Sequence, residues 1–219
     1  MVVLQLLIFA DDVVLLAHNP IELQKHLVAL EHFCRTSGMQ VNMKKTKCIS
    51  IGTRQEPFLY FEGQKVEMVT TYKYLGVQFS NNLSWASCAK SRVANGYKAL
   101  YSMINKCRMA SLSTWSLKRR LFTSLVRPVL LYGVQVWGAA TSKSTWPKIE
   151  AIQKLFLEME LGVKSQTPYI LTLAEAGLLP LEGEALLLTI KYVLHVNDLD
   201  ASRLPKQALC YSRASGWYA

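Results

Sequence analysis

The stretch Leu6-Leu7-Ile8-Phe9-Ala10-Asp11-Asp12-Val13-Val14-Leu15-Leu16-Ala17 constrains this chain more than any other. Two apolar runs of strand length, residues 2–9 and 13–17, flank adjacent carboxylates. This pattern predicts a β-hairpin, buried on one face, with the Asp pair at its turn. An unpaired carboxylate is expensive to bury, so such a turn calls for a positive charge. A divalent metal is the natural candidate, because Mg²⁺ takes hard oxygen ligands and is usually held by one or two carboxylates together with substrate phosphates.

After the hairpin, Asn19-Pro20 starts a helix whose stripe of Leu23, Leu27, Leu30 and Cys34 runs to about residue 36. Gly38 suits a left-handed cap at its end. A strand pair, Met39 to Asn42 and Cys48 to Ile51, is expected around the basic turn Lys44-Lys45-Thr46-Lys47. Short β segments follow at Phe58 to Phe61, Lys65 to Val69 and Tyr72 to Phe79, with Glu62-Gly63 as a turn. Beyond residue 80 the periodicity is helical. Helices are expected over 83–107, 114–138, 144–161, 168–176 and 181–198, and the tail from Lys206 to Ala219 shows no clear period.

Charge and cysteine usage narrow the class of partner. With 25 Lys and Arg against 15 Asp and Glu, the chain carries a formal charge of +10, which favours a polyanionic partner such as nucleic acid. Five scattered cysteines, odd in number and without a C-x-x-C pair, read as reduced thiols and argue against a disulfide framework or zinc site. The four histidines also lack metal-ligand spacing. The N-terminal apolar run has no basic n-region and leads straight into the Asp pair, unlike a signal peptide. Leu121 to Ala140 is interrupted by Arg127-Pro128 and Gln135, so no membrane partner is expected.

Read together, five blocks in order resemble the reverse transcriptase (RNA-directed DNA polymerase) of non-LTR, LINE-type retrotransposons. Phe9-Ala10-Asp11-Asp12 is similar to that family's palm hairpin box. Phe33-Cys34-x-x-Ser37-Gly38 then leads into Met39-Gln40-Val41-Asn42-Met43-Lys44-Lys45-Thr46-Lys47, which resembles its "hydrophobic-N-x-x-K-T-K" block. Tyr74-Leu75-Gly76 resembles the primer-grip segment, and Val126-Arg127-Pro128-Val129-Leu130-Leu131-Tyr132-Gly133 with Trp137-Gly138 the thumb helix. Ile152-Gln153-x-x-Phe156-Leu157, Leu161-Gly162-Val163 and Leu179-Pro180-Leu181 resemble the sequence that follows.

The resemblance implies an α+β fold: a partial palm over 1–80, thumb-like helices over 81–140, a helical region over 141–205 and a tail over 206–219. It also implies two-metal nucleotidyl transfer onto a primer end, with an RNA template, a DNA primer and a dNTP as partners and Mg²⁺ or Mn²⁺ as cofactor. Asp11 would be a metal ligand and Asp12 its electrostatic neighbour. Lys45 would neutralise or protonate the pyrophosphate leaving group, the alternative being that Lys44, Lys45 and Lys47 form a solvated turn. Tyr74, Leu75 and Gly76 would place backbone against the primer end. Lys90, Arg92, Lys98, Lys118, Arg119 and Arg120 would contact template–primer phosphates, and each reads equally as an ordinary surface charge. Tyr132 and Trp137 are expected as core aromatics.

The family's palm also uses a carboxylate from an earlier strand. Of the next acidic residues, Glu22, Glu31, Glu56, Glu62 and Glu67, none is placed like it. The expectation is therefore a C-terminal palm and thumb portion, nuclear or cytoplasmic, inactive alone. The alternative is a catalytically dead nucleic-acid-binding relic or pseudogene product.

Overall fold

The computed structural model describes residues 4–52 and 57–214. They form a mixed α+β architecture in two compact units: Met1–Tyr72 with Phe79–Leu83, and Lys73–Gln78 with Ser84–Ala219.

In the first unit, β1 (Leu6–Phe9) and β2 (Asp12–Leu15) pair antiparallel in the register Leu6↔Leu15, Leu7↔Val14, Ile8↔Val13 and Phe9↔Asp12. The hairpin is anchored only at its foot, where Leu15 packs against the core of Leu27, Leu59, Phe61 and Val66. Towards the tip, Ile8 is 65% and Phe9 60% exposed. The expected burial of one face is thus not met, because among the described residues no further strand or helix of this unit covers the tip.

Helix α1 (Pro20–Ser37) begins where the sequence places it. Asn19 Oδ1 accepts the Glu22 N–H at 2.9 Å as the N-cap, and Glu22 Oε2 reaches back to accept the His18 N–H at 3.0 Å. Gly38, at φ +68°, ends the helix in the left-handed region. The helix then grips β4 (Tyr60–Phe61) and β5 (Gln64–Lys65) by backbone bonds. The Gln24 amide pairs with both Tyr60 N–H and C=O at 2.8 Å, and Glu31 accepts the Glu62 N–H.

The expected strand pair around the lysine turn is replaced by something shorter. Met39 to Asn42 forms no strand, and β3 (Lys47–Cys48) instead pairs in parallel with β6 (Glu67–Met68). The polar groups of Asn42 explain the change. Its side chain accepts the Lys44 and Lys45 N–H groups and its carbonyl accepts those of Lys45 and Thr46, so its bonding is spent on a local turn.

The segment Tyr72 to Phe79 folds back on itself as β7 (Thr71–Tyr74) and β8 (Val77–Ser80), around Leu75 and Gly76.

The second unit is otherwise helical: α2 (Ala86–Met109), α3 (Trp115–Leu121), α4 (Arg127–Leu131), α5 (Val134–Trp137), α6 (Trp146–Leu161), α7 (Tyr169–Ala176), α8 (Leu181–Asp198) and α9 (Leu204–Ala214). Helix α2 packs on α4 and α6, and the approach is close at Gly96. A Cβ there would lie 2.2 Å from Leu130 Cδ2 and 2.9 Å from Ile152 Cδ1. Phe122 and Phe156 stack at 4.3 Å in the core, among Leu100, Leu130, Val134, Trp137 and Leu157.

The single helix expected over 114–138 is broken twice. Phe122–Val126 is a π-helical turn in which Arg127 N–H reaches back to Phe122 O. Pro128 accounts for it: its ring would strike the carbonyl four residues earlier, and widening the turn relieves the clash. Ser124 and Thr123 hydroxyls bond the carbonyls of Arg120 and Arg119, both at 2.8 Å. The second break falls at Tyr132-Gly133, between α4 and α5. The tail holds a correction too, since Leu204–Ala214 is helical rather than loose. The remaining tail residues lie outside the described ones. Among the described residues no helix is long and apolar enough to cross a membrane.

Candidate functional site

Asp11 and Asp12 sit at the tip of the first hairpin, Asp11 in the two-residue turn Ala10-Asp11 and Asp12 in the Phe9↔Asp12 pair that closes it. Ala10 takes φ +52°, a conformation costing an L-residue roughly 1–2 kcal/mol. A positive φ is what the tight two-residue hairpin turn itself demands. Both carboxylates are exposed, and among the described residues neither makes a hydrogen bond or ion pair. Exposure removes the need for a buried counter-charge and leaves two unpaired hard oxygen donors on adjacent residues of the hairpin tip.

Of the other candidate carboxylates, Glu62 is exposed in the turn between β4 and β5 and the rest are occupied elsewhere or undescribed. Glu22 caps α1, Glu31 holds Glu62 N–H, and Glu67 pairs with Lys47. Glu56 lies outside the described residues. Among the described residues no group of three or more His, Cys, Asp or Glu side chains converges.

Lys45 is exposed on the turn built by Asn42. Thr46 Oγ1 donates to Asn42 O at 3.0 Å, and Tyr72 Oη donates to Lys45 O at 3.3 Å. Asn42 and Thr46 thus fix the loop, Lys47 is held by Glu67, and Lys44 and Lys45 are left as its projecting cations. Behind the turn, burial raises the Cys48 thiol above its ordinary range.

In the second unit the Tyr74-Leu75-Gly76 segment is a clamped turn. Leu75 and Gly76 have φ +44° and +80°, the pattern of a type I′ hairpin turn, which Asn-Gly adopts readily and a leucine does not. Two side chains hold it there. Tyr132 Oη donates to Leu75 O at 3.0 Å, and the Arg92 guanidinium donates to Gly76 O. Arg92 also lies over the Tyr132 ring, 5.0 Å from its centroid. A Cβ on Gly76 would meet Tyr132 Cε1 at 2.8 Å.

Arg92 is accordingly only 8% exposed, and Tyr132, expected in the core, is 50% exposed and works through its hydroxyl. Nothing in the residue pattern marked this pair. Trp137 is fully buried, as expected, with its indole N–H on Tyr132 O at 3.0 Å.

The remaining basic candidates differ in what they touch. Lys118 pairs with Glu160 at 2.8 Å, and Arg119 Nη2 donates to Gly177 O at 2.7 Å. Lys90, Lys98 and Arg120 are exposed, and their side chains have no partner among the described residues.

Comparison with known proteins finds similarity to one family. A sequence model of the family described as reverse transcriptase (RNA-dependent DNA polymerase) matches residues 3–79, which include the Asp pair, the lysine turn and the Leu75-Gly76 turn. Over these residues the chain is similar to the reverse transcriptase family. The chain is 27% identical over 155 residues to a probable RNA-directed DNA polymerase from transposon BS of Drosophila melanogaster, covering 66% of this chain and 17% of that protein. It is 34% identical over 139 residues to a retrovirus-related Pol polyprotein from type-1 retrotransposable element R2 of Popillia japonica, covering 59% and 18%. A probable RNA-directed DNA polymerase from transposon X-element of Drosophila melanogaster is 26% identical over 165 residues, covering 70% and 18%. The chain thus spans less than a fifth of the length of each of these three relatives. No solved structure matches it.

Proposed function

We propose that the chain is the part of a retrotransposon reverse transcriptase that presents the Asp pair to the metal ions and the Leu75-Gly76 turn to the primer. The observation that carries this reading is the two-residue turn at Ala10-Asp11, which with Asp12 at the start of β2 presents two exposed, unpaired carboxylates inside the segment matched by the family. Two exposed hard donors suit Mg²⁺ or Mn²⁺. Such ions, when bound, would supply the charge that stabilises the attacking and leaving oxygens of an in-line displacement.

Within that frame Asp11 is the ligand and Asp12 its electrostatic neighbour. Lys45, fixed at its backbone by Asn42 and Tyr72, offers its ammonium to the departing pyrophosphate of a dNTP. Arg92 and Tyr132 are positioning residues, since they act on the primer end through the Leu75-Gly76 backbone. Lys90 and Lys98 are free to meet template–primer phosphates, and Arg120 those of an unpaired strand, in a sequence-independent, salt-sensitive way.

The chain alone is proposed to bind template–primer without extending it. The described residues give the metal ions two carboxylates, and the family's further ligand would come from sequence beyond them. Primer extension on an RNA template with Mg²⁺ or Mn²⁺, run beside fluorescence anisotropy of the same template–primer, tests both halves. Binding that weakens steeply with salt, with no extension, supports the proposal. Extension that survives Asp11→Asn would refute the assignment of the Asp pair, and absence of binding at low salt would refute the nucleic-acid reading.

A further inference from the structure

The second unit carries a cleft of about 680 Å³ between α3, the π-helical turn and the segment joining α7 to α8, lined by Trp115, Arg119, Arg120, Arg127, Leu179 and Glu184 among others. We infer that this cleft seats a single-stranded nucleic-acid segment, with phosphates on the three arginines and a base against Trp115 and Leu179. The inference deepens the nucleic-acid reading above and rests on it.

Charge is the first argument. Three guanidinium groups face one carboxylate, Glu184, leaving a local excess of two positive charges. Two of the arginines are already positioned. Arg119 Nη2 is on Gly177 O at 2.7 Å, and Arg127 Nη1 is on Glu184 Oε1 at 2.8 Å. Each contact uses one part of a five-donor fork and leaves the rest for phosphate oxygens, the geometry in which arginine recognises phosphate best. Arg120 has no side-chain partner among the described residues, so its whole fork is free.

The neighbours of these arginines distinguish a single strand from a duplex. Trp115 is half-buried and stacks on Phe156 with centroids 5.9 Å apart, which fixes its ring from the core side. Leu179 is an exposed apolar wall of the same cleft. A duplex would offer phosphates to the arginines but keep its bases stacked inside, leaving the aromatic and the leucine without partners. An unpaired strand supplies both, since base–aromatic stacking beside a cationic track is how single strands are held without sequence preference. The cleft is open rather than enclosed, which suits a passing strand better than a small anion that must be surrounded to be retained.

The test is fluorescence anisotropy with labelled oligo-dT, an abasic strand of equal length and a DNA duplex. The proteins are the full chain, Arg120→Glu, and Lys143→Glu as a control of equal charge change on an exposed lysine elsewhere. Thermal melting confirms that the variants fold. The expected result is oligo-dT binding weakened roughly tenfold by Arg120→Glu but little by Lys143→Glu, with the salt slope shallower by about one. Duplex binding should change no more than in the control, and the abasic strand should bind the full chain about fivefold or more weakly than oligo-dT. Oligo-dT binding unaffected by Arg120→Glu, or equal loss for duplex and single strand, would overturn the cleft while leaving the nucleic-acid reading in place. Abasic and dT strands binding alike would overturn the stacking. No binding of any strand by the full chain would overturn both.

Discussion

Replacing Gly76 with alanine tests the clamped turn directly. At φ +80° an alanine costs roughly 1–2 kcal/mol of backbone strain. Its Cβ would also stand 2.8 Å from Tyr132 Cε1, so the ring must move. The ring can move only by giving up the hydrogen bond from its hydroxyl to Leu75 O, worth about 1 kcal/mol, and its stacking under Arg92, worth about 0.5–1 kcal/mol. Gly76→Ala should therefore destabilise the second unit by about 2–4 kcal/mol. In a Tyr132→Ala background the clash disappears and only the backbone part remains, about 1–2 kcal/mol. All four tryptophans among the described residues, Trp85, Trp115, Trp137 and Trp146, belong to the second unit, so urea unfolding followed by tryptophan fluorescence reads this unit. A double-mutant cycle should return a coupling of about 1–2 kcal/mol. The same cost in both backgrounds, or a cost below about 0.5 kcal/mol, would refute the clamp.

Three further outcomes follow from the same geometry. Tyr169 donates to Glu150 Oε2 at 2.6 Å and accepts from Gln153 at 3.0 Å, and burial, then the Glu150 carboxylate, push its phenol well above its ordinary range. The stability it adds is therefore complete below the phenol's unfolded value and declines as pH rises beyond about 10. Tyr169→Phe should cost about 1–3 kcal/mol at neutral pH, and chemical denaturation should show this gap narrowing above pH 10; a gap independent of pH would contradict the buried phenol. Gly96→Val should overpack Leu130 and Ile152, lowering stability by about 3 kcal/mol in the same urea assay, and a neutral effect would contradict the close approach of α2. Ile8→Thr, at the exposed hairpin tip, should leave stability within about 0.5 kcal/mol while reducing dye binding and aggregation; a large loss of stability would show that the tip is covered.

What the sequence disclosed depended on how local the cause was. Asn19, Glu22 and Gly38 specify the ends of α1 through bonds within a turn of themselves, so that helix is legible. The Asp pair and the Leu75-Gly76 turn were likewise marked by position in a short motif. The β3–β6 pairing was not legible, because Asn42 diverts the backbone into a side-chain-bonded turn that apolar alternation does not register. Pro128 marks the break in the helix over 114–138, but the widened turn before it is a backbone response that periodicity does not register. Arg92 and Tyr132 are 40 positions apart in sequence and meet only after α2 and α4 pack. Their partnership, and the opening of the arginine cleft, are properties of tertiary packing that no spacing encodes.

The central claim is that the Asp11-Asp12 tip receives a divalent metal ion. Paramagnetic broadening by Mn²⁺ in the backbone amide spectrum tests it most directly, since two exposed carboxylates bind weakly and broadening detects weak binding. The account predicts selective loss of the amide signals around Ala10, Asp11, Asp12 and Val13 as Mn²⁺ is added, abolished by Asp11→Asn with Asp12→Asn. Signals at the tip that persist while other acidic residues broaden, or broadening there that the double substitution leaves unchanged, would contradict it.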